Sequence, residues 1–221
     1  GVPLLTGAPG YDTRPGGGYR LYNRAYLFNQ QGEIDGFYGK EHLVPFGEYV
    51  PLPDFIPFLD KLVPGISDFS PGKRTKPLRT KKLALGLLIC YEIIFDNLVA
   101  ERVEENSNVL VNLSNDAWFG RTSAPKQHLH QAVLRAVEQG RPVLRATNSG
   151  ISAVINPRGN IRQRSGLFTT AVMKTDPIRT QSSRTFFSRQ RELILAGFAV
   201  LFLILALAGA RRERKVRRSK A

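Results

Sequence analysis

The only cysteine of the chain, Cys90, lies at a junction that suits a nucleophile. The preceding residues 83–89 form an apolar run that predicts a strand buried on both faces. Residues 93–106 carry an apolar face and a charged face and predict a helix. Unpaired N–H groups at a helix start favour negative charge, so a thiol there is suited to react as a thiolate. The alternative is a small buried side chain at a strand end, because free cysteine is among the most buried residue types.

A second group of reactive side chains lies in the loop 38–51, which contains Lys40, His42 and Glu48. Two prolines and two glycines exclude a long regular element there. A thiol nucleophile needs a base for its proton and a cation or donor for the oxyanion, and Lys40 and Glu48 are of suitable types. Their separation from Cys90 in sequence says nothing about their distance in space. The alternative to a functional loop is an ordinary surface loop whose charged residues are solvated.

The formal charge of +14 favours a nucleic-acid partner at first sight, but the charge is unevenly distributed. Residues 211–221 carry seven Lys or Arg residues and one Glu, and residues 193–210 carry no charge. An apolar helix of that length followed by a basic cluster predicts a membrane anchor with a cytoplasmic C-terminus. We expect a domain at 1–191, a transmembrane helix at 192–210 and a basic tail at 211–221. A buried helix of a soluble protein is the alternative.

Short apolar runs and helical patterns alternate along the rest of the chain. Strands that alternate with helices, followed by hairpins, indicate an α/β domain built in layers. His128 and His130 are expected to be polar residues in the first turn of a helix at 127–139. The remaining expected strands are 2–6, 21–29, 34–38, 108–114, 143–146, 152–155, 161–163 and 169–174, with a turn-rich loop at 9–18.

Three separated motifs resemble those of the nitrilase, or carbon–nitrogen hydrolase, superfamily. They are Tyr-Gly-Lys at 38–40 with His-Leu-Val-Pro-Phe-Gly-Glu-Tyr at 42–49, Ile-Cys-Tyr-Glu at 89–92, and Asn-Leu-Ser-Asn-Asp-Ala-Trp-Phe-Gly at 112–120. Together with the terminal apolar helix, the pattern is similar to an acyltransferase branch found in the bacterial inner membrane. The resemblance extends over residues 2–210. It implies an α/β fold, a nitrilase-like αββα sandwich followed by one C-terminal transmembrane helix.

The resemblance implies a Glu-Lys-Cys triad in which Cys90 is the nucleophile and Lys40 stabilises the oxyanion. Glu48 matches a second essential glutamate that supports the site. No metal or other cofactor is implied. The supporting residues implied by motif are Tyr91, Glu92 and Asn23, and the residues implied near the substrate are Trp118 and Phe119.

The general base of the implied triad has no counterpart in this sequence. In the superfamily that glutamate precedes the strand matched by residues 2–6, so it would lie upstream of Gly1. The chain also begins without an initiator methionine. We therefore expect the sequence to be part of a longer enzyme and to be inactive by itself.

The implied reaction transfers a fatty acyl chain in two steps. Cys90 takes the chain from a glycerophospholipid as a thioester, and the α-amino group of the N-terminal diacylglyceryl-cysteine of an apolipoprotein then accepts it. The implied partners are these two lipid substrates and the membrane, with no nucleic acid. The implied location is the bacterial inner membrane, with residues 1–191 in the periplasm. The apolar loop 53–71 is expected at the lipid interface.

Two other functions stay open. A membrane-anchored nitrilase-type amidase would hydrolyse a small amide, with water as the second nucleophile. A non-catalytic membrane-tethered domain is consistent with the absent base. The motifs around Lys40, Glu48 and Cys90 are intact, which speaks against that second alternative.

Overall fold

The computed structural model describes residues 1–51 and 69–219, with the backbone alone for 211–219. It divides into two units, Gly1–Ser183 and Arg184–Ala221, which are described separately. In the described residues the α-helices are α1 (Asp96–Glu104), α2 (Ala124–Gln139) and α3 (Phe186–Ser219), and 3₁₀ segments occur at Cys90–Ile94 and Ala117–Phe119. The strands there are β1 (Leu4–Thr13), β2 (Tyr19–Phe28), β3 (Ile34–Gly39), β4 (Leu78–Arg79), β5 (Ala84–Ile89), β6 (Val109–Ser114), β7 (Val143–Thr147), β8 (Ala153–Ile155) and β9 (Ile161–Arg164).

The strands of the first unit form two sheets. The smaller is the antiparallel sheet β1-β2-β3, and the larger has the order β4-β5-β6-β7-β8-β9. Within the larger sheet β5, β6 and β7 run parallel, and its other pairs are antiparallel. Parallel neighbours need a crossover, which α1 provides between β5 and β6 and α2 between β6 and β7.

The alternation of side chains along β5 joins three layers. Leu85 and Leu87 face the smaller sheet, where they pack with Ala25 and Leu27 of β2. Leu88 points to the opposite face of the sheet and packs in a second apolar cluster. That cluster includes, from the two helices and the neighbouring strands, Leu98, Val99, Leu110, Leu129, Ala132 and Val143.

The observed layers confirm the predicted α/β sandwich, and the described residues supply a helix layer and both sheets. The strand expected at 83–89 is confirmed as β5, and all of its residues are buried. The outer face of the smaller sheet carries large exposed side chains such as Leu4 and Phe37. Most of the loop 53–71, for which we expected a lipid interface, lies outside the described residues.

Three expectations for individual elements were wrong. The helix expected from residue 93 begins at Asp96, because Phe95 is extended (φ −85°, ψ 104°) and separates it from the 3₁₀ segment. Residues 9–13, expected in a loop, continue β1, which pairs with β2 as far as Thr13 and Tyr19. Pro9 is tolerated there because β1 is the edge strand of its sheet. Residues 169–174 form no strand and are mostly exposed, so they have no buried face to pair.

The second unit is dominated by α3. Its segment Phe186–Ala210 is 25 residues long and contains an 18-residue stretch with a mean hydropathy of 2.8, so it is long and apolar enough to cross a membrane. At 1.5 Å per residue the uncharged run 193–210 spans roughly 27 Å, close to the ~30 Å of a bilayer's hydrocarbon core. The apolar helix expected at 192–210 therefore forms, and it begins several residues earlier than the apolar run.

Truncation of Leu88 should strongly destabilise the first unit, because this side chain is fully buried between β5 and the helices. We expect Leu88→Ala to lower the free energy of unfolding by about 2–5 kcal/mol. Leu134→Ala is the matched control, since Leu134 on α2 is 49% exposed and should change that energy by less than about 0.5 kcal/mol. Denaturant titration of both variants tests this, and equal losses would contradict the described core.

Candidate active site

Lys40, Glu48 and Asn23 form one hydrogen-bonded cluster. Lys40 Nζ lies 2.6 Å from Glu48 Oε2, and Asn23 Nδ2 donates to Glu48 Oε1 at 3.0 Å. The N–H of Val44 donates to the same Oε2 at 2.8 Å. Lys40 is almost fully buried, so the carboxylate both balances its charge and fixes the direction of its Nζ.

The backbone of Lys40 is held in place by both of its polar groups. Lys40 directly follows β3, and its N–H donates to the carbonyl of Asn23 in β2 at 2.8 Å. Its own carbonyl accepts from the N–H of Gly72 at 2.7 Å. The chain passes so close at this point that a Cβ on Gly72 would lie 2.3 Å from the carbonyl oxygen of Gly39. A residue larger than glycine at position 72 would therefore push the strand end that carries Lys40.

Cys90 lies in a strained turn between β5 and a 3₁₀ segment. Its φ is +52°, which is unusual for a residue with a side chain. A nucleophile on a sharp turn after a buried strand is presented at the end of the sheet, as in the elbows of many hydrolytic enzymes. The side chain is half-buried and its thiol is free. The junction of strand and helix predicted for this cysteine is present, with a 3₁₀ segment in place of the first α-helical turn.

The carboxylate of Glu92 joins the Lys40 loop to the Cys90 turn. This side chain is fully buried. Its donors lie immediately after Lys40 in sequence, immediately before Cys90, and on β3. At distances of 2.7–3.0 Å they are the N–H groups of Glu41, His42 and Ile89 and the hydroxyl of Tyr38.

Burial raises the pKa of Glu92, and the hydrogen bonds from its donors counteract this effect only in part. The pKa of the Tyr38 hydroxyl is raised well above its usual range by burial and then by the charge of Glu92. Glu92 is therefore fully engaged as an acceptor in the interior of the protein. Glu48 is similarly engaged by Lys40, Asn23 and Val44, so neither glutamate is placed as a free base.

A second polar network lies on the other side of the Cys90 turn. The carbonyl of Cys90 accepts from Asn112 Nδ2 at 3.2 Å and lies 3.1 Å from His128 Nε2. Arg145 donates to Asn112 Oδ1 and, at 2.6 Å, to Asp116 Oδ2. Asp116 Oδ1 lies 3.1 Å from His128 Nδ1. All four side chains are buried.

His128 was not predicted to belong to the site. We expected it in a first helical turn with His130, but α2 begins at Ala124, so His128 lies in the second turn and faces the interior. His130 is exposed, as expected of a polar surface residue. One available signal was Asn112, a polar residue in a strand that is otherwise apolar, since a buried amide must find partners.

Asp116 is the acidic residue of this network, and its pKa is strongly shifted. Burial by itself would raise its pKa. The hydrogen bond from His128, the charge of Arg145 and the hydrogen bond from Ser114 outweigh this effect and lower the pKa of Asp116 to about 2. Asp116 therefore stays ionised at neutral pH and balances the buried guanidinium of Arg145, 2.6 Å away.

The aromatic residues implied at the site, Tyr91 as a supporting residue and Trp118 and Phe119 near the substrate, are placed differently from one another. The ring of Tyr91 packs against Phe95, with 4.8 Å between centroids. Phe119 meets the ring of His128 edge-on at 6.0 Å. Trp118 is 79% exposed, and in the described part of the chain it makes no ring contact with the site. The described residues also hold no group of three or more His, Cys, Asp or Glu side chains suited to a metal ion.

A buried strand leads to a strained cysteine whose turn is joined through Glu92 to the loop of a buried lysine held by a glutamate. This arrangement is expected of a cysteine-dependent hydrolase or transferase. Residues 1–184 match the carbon-nitrogen hydrolase family, and the chain belongs to this family. A carbon-nitrogen hydrolase from Helicobacter pylori G27 has the same fold, with a TM-score of 0.55 and 18% identity over 74% of this chain and 57% of that chain. An amidase from Nesterenkonia sp. AN1 is 25% identical over 76% of this chain and 58% of its own, with a TM-score of 0.53, and carries the acetamide moiety of fluoroacetamide at its active-site cysteine.

The chain is also similar to two proteins named apolipoprotein N-acyltransferase. The protein from Geobacter metallireducens is 42% identical over 213 residues, which is 95% of this chain and 40% of that protein. The protein from Azotobacter vinelandii is 40% identical over 218 residues, which is 96% of this chain and 41% of that protein. The chain thus spans about two fifths of the length of these relatives.

The lowered pKa of Asp116 predicts how stability depends on pH. The folded protein binds this proton less readily than the unfolded chain, so the stabilisation is complete above about pH 4 and is lost as the pH falls towards 2. We expect Asp116→Asn to lower the free energy of unfolding at pH 7 by roughly 2–4 kcal/mol, since Arg145 also loses its counter-charge.

Denaturant titrations between pH 7 and pH 2 measure the gap between this variant and the wild-type protein. The gap should narrow towards pH 2, where about half of the Asp116 side chains are protonated in the folded protein and nearly all of them in the unfolded chain. Asp35→Asn, on an exposed position of β3, is the matched control and should leave the curve almost unchanged. A gap for Asp116→Asn that does not vary with pH would contradict the ionised state.

Proposed function

We propose that the complete protein is an N-acyltransferase that matures bacterial lipoproteins. One observation carries its cysteine chemistry: the buried carboxylate of Glu92 holds the backbone beside both Lys40 and Cys90. The similarity to apolipoprotein N-acyltransferases over 95% of this chain supports the choice of substrates. The apolar segment of α3 supports work on lipids, since both substrates are retained in a bilayer.

In the first step the sulfur of Cys90 attacks the ester carbonyl of a glycerophospholipid, and a base takes the thiol proton. Lys40, aimed by Glu48, donates to the oxyanion of the tetrahedral intermediate. The carbon–oxygen bond of the ester breaks, the proton passes to the leaving alkoxide, and a lysophospholipid departs. The acyl chain stays on Cys90 as a thioester.

In the second step the α-amino group of a diacylglyceryl-cysteine attacks the thioester. The carbon–sulfur bond breaks, the amine loses a proton, and Cys90 recovers its thiol. An amide and a triacylated lipoprotein result. Two half-reactions that share one covalent intermediate give ping-pong kinetics.

We propose that the base is a glutamate outside this sequence. Glu48 and Glu92 match other positions of the motifs and not the base, and each accepts hydrogen bonds from several buried donors. The relatives are more than twice as long as this chain, so they have room for such a residue. The 221-residue chain by itself is accordingly proposed to be inactive.

Acylation of Cys90 is the direct test. Incubation of the complete protein with phosphatidylethanolamine and no acceptor should add the mass of one acyl chain, and hydroxylamine should remove it. Cys90→Ser should show no such addition, because a hydroxyl in the same position is a far weaker nucleophile. Intact-protein mass spectrometry measures both, and acyl transfer by the 221-residue chain alone would contradict the proposed external base.

A nitrilase-type amidase is the second candidate, favoured by the resemblance to the Nesterenkonia amidase. Its thioester would be hydrolysed by water at a rate independent of any lipid amine. Absence of the phospholipid adduct, with turnover of small amides such as acetamide, would replace the first proposal by the second.

We further propose that α3 crosses the inner membrane, with the first unit in the periplasm and residues 211–221 in the cytoplasm. The basic residues that follow the apolar segment support this orientation. On a background of the complete protein in which every cysteine is replaced by Ser, Arg158→Cys, at an exposed position in a turn, should react with a membrane-impermeant maleimide in spheroplasts. A cysteine at Ser219 should react only after lysis, and the reverse pattern would overturn the proposed orientation.

A further inference from the structure

The carbonyl oxygen of Cys90 is within hydrogen-bonding distance of two buried side chains, Asn112 and His128, that have no role in the proposed reaction. Asn112 Nδ2 donates to this oxygen at 3.2 Å and also to the carbonyl of Leu88 at 3.2 Å. His128 Nε2 approaches the Cys90 oxygen at 3.1 Å from α2. The two donors come from different elements, β6 and α2, so the carbonyl is fixed from two directions.

The groups behind these donors hold them in place. Arg145 binds the oxygen of the Asn112 amide, which leaves the amide nitrogen directed at the backbone of the cysteine turn. Arg145 Nη2 also lies 3.0 Å from His128 Nδ1, and Asp116 Oδ1 lies 3.1 Å from that same nitrogen. A neutral ring can accept from Arg145, and a protonated ring can donate to Asp116. Because Nε2 faces the Cys90 carbonyl oxygen, which can only accept, we assign the hydrogen of the neutral ring to Nε2, so that Nε2 donates to Cys90 in both states.

Burying this network contributes little net free energy of folding. Arg145 and Asp116 are 2% and 1% exposed, and desolvation of a buried ion pair often cancels its attraction. Burial in fact lowers the pKa of Arg145, against the attraction of Asp116 and of the Cys90 side chain. A network of this kind is better explained by the geometry that it imposes on its neighbours.

The backbone that this network holds is the strained Cys90–Tyr91 segment. A φ of +52° at Cys90 is strained and persists only where the surroundings determine it. The peptide plane that begins with the Cys90 carbonyl ends with the N–H of Tyr91. In a nucleophile elbow the N–H after the nucleophile points at the developing oxyanion. Holding the carbonyl therefore fixes the direction of this donor as well as that of the thiol.

We propose that His128 and Asn112 are positioning residues that set the Cys90–Tyr91 peptide for attack, with Asp116 and Arg145 aligning them. This inference rests on the proposed cysteine chemistry and adds residues from α2, β6 and β7 to the site. His128 acts through the backbone of Cys90 and does not exchange a proton with the substrate.

Two substitutions of His128 separate this role from simple packing. In His128→Gln the amide nitrogen can occupy the place of Nε2 and donate to the Cys90 carbonyl. In His128→Asn the shorter amide can replace only Nδ1, so it keeps the Asp116 contact and loses the carbonyl contact. His130→Gln, on the exposed face of the same helix, is the matched control.

The measurement is the single-turnover rate of Cys90 acylation in the complete protein, in detergent, with phosphatidylethanolamine at several concentrations. We expect His128→Asn to lower the maximal rate by roughly 10- to 100-fold while the half-saturating lipid concentration changes by less than about twofold. His128→Gln should recover most of the rate, and His130→Gln should equal the wild-type protein. Thermal unfolding of each variant is measured in the same detergent.

A rate that falls equally in the Asn and Gln variants, or that follows their unfolding temperatures, would overturn the positioning role. If neither variant folds, Asn112→Asp tests the same carbonyl, because it retains an acceptor for Arg145 and loses the donor to Cys90. That variant should also lower the maximal rate by roughly tenfold or more. An unchanged rate would overturn the proposal.

A small activated ester distinguishes failure of this inference from failure of the proposed function. Acylation of Cys90 by p-nitrophenyl butyrate requires the same attack and the same oxyanion but no lipid recognition. If the wild-type protein reacts with this ester and not with phospholipid, the proposed substrates are wrong. The acylation rates of the His128 variants are then measured with the ester. If Cys90 reacts with neither, both proposals fall.

Discussion

The site depends on the buried carboxylate of Glu92. Its four donors come from β3, from the loop after Lys40 and from the last residue of β5. One buried carboxylate thus binds the end of β3 in the smaller sheet and the end of β5 in the larger sheet. Glu41, whose N–H is one of these donors, is itself bound through its carboxylate to Arg102 on α1. The lysine loop is therefore fixed to both layers beneath it.

The charged residues of the interior follow one rule. Each buried charge is paired, as with Lys40 and Glu48 or Arg145 and Asp116, or has its polar atoms bound to several backbone groups, as with Glu92. Charges in such an interior are costly to remove singly, because the remaining partner would be left unpaired. The buried polar residues of the site therefore depend on one another for their charge balance and hydrogen bonds. Cys90, which lies among them, is only half-buried.

The sequence predicted the layered fold and the main strands because hydrophobic periodicity is a local property. The apolar run at 83–89 predicted a buried strand. The three motifs identified Lys40, Glu48, Cys90 and Glu92 as candidate site residues. What it did not predict depends on pairing between distant segments. The extension of β1 to Thr13 required its partner β2, and the break at Phe95 required the strained turn before it. The inward position of His128 required the true start of α2, four residues before it.

The two networks around Cys90 divide the work of the site. The Glu92 network controls the distance between the lysine and the cysteine, since it binds the backbone next to both. The network of Asn112 and His128 controls an angle, since it binds the carbonyl of the cysteine itself. In the proposed acyl transfer a bulky lipid ester can be bound in many orientations, so a rigid cysteine and rigid oxyanion donors would contribute most to the rate. A cysteine with a positive φ, held from both sides, is the arrangement that this requirement favours.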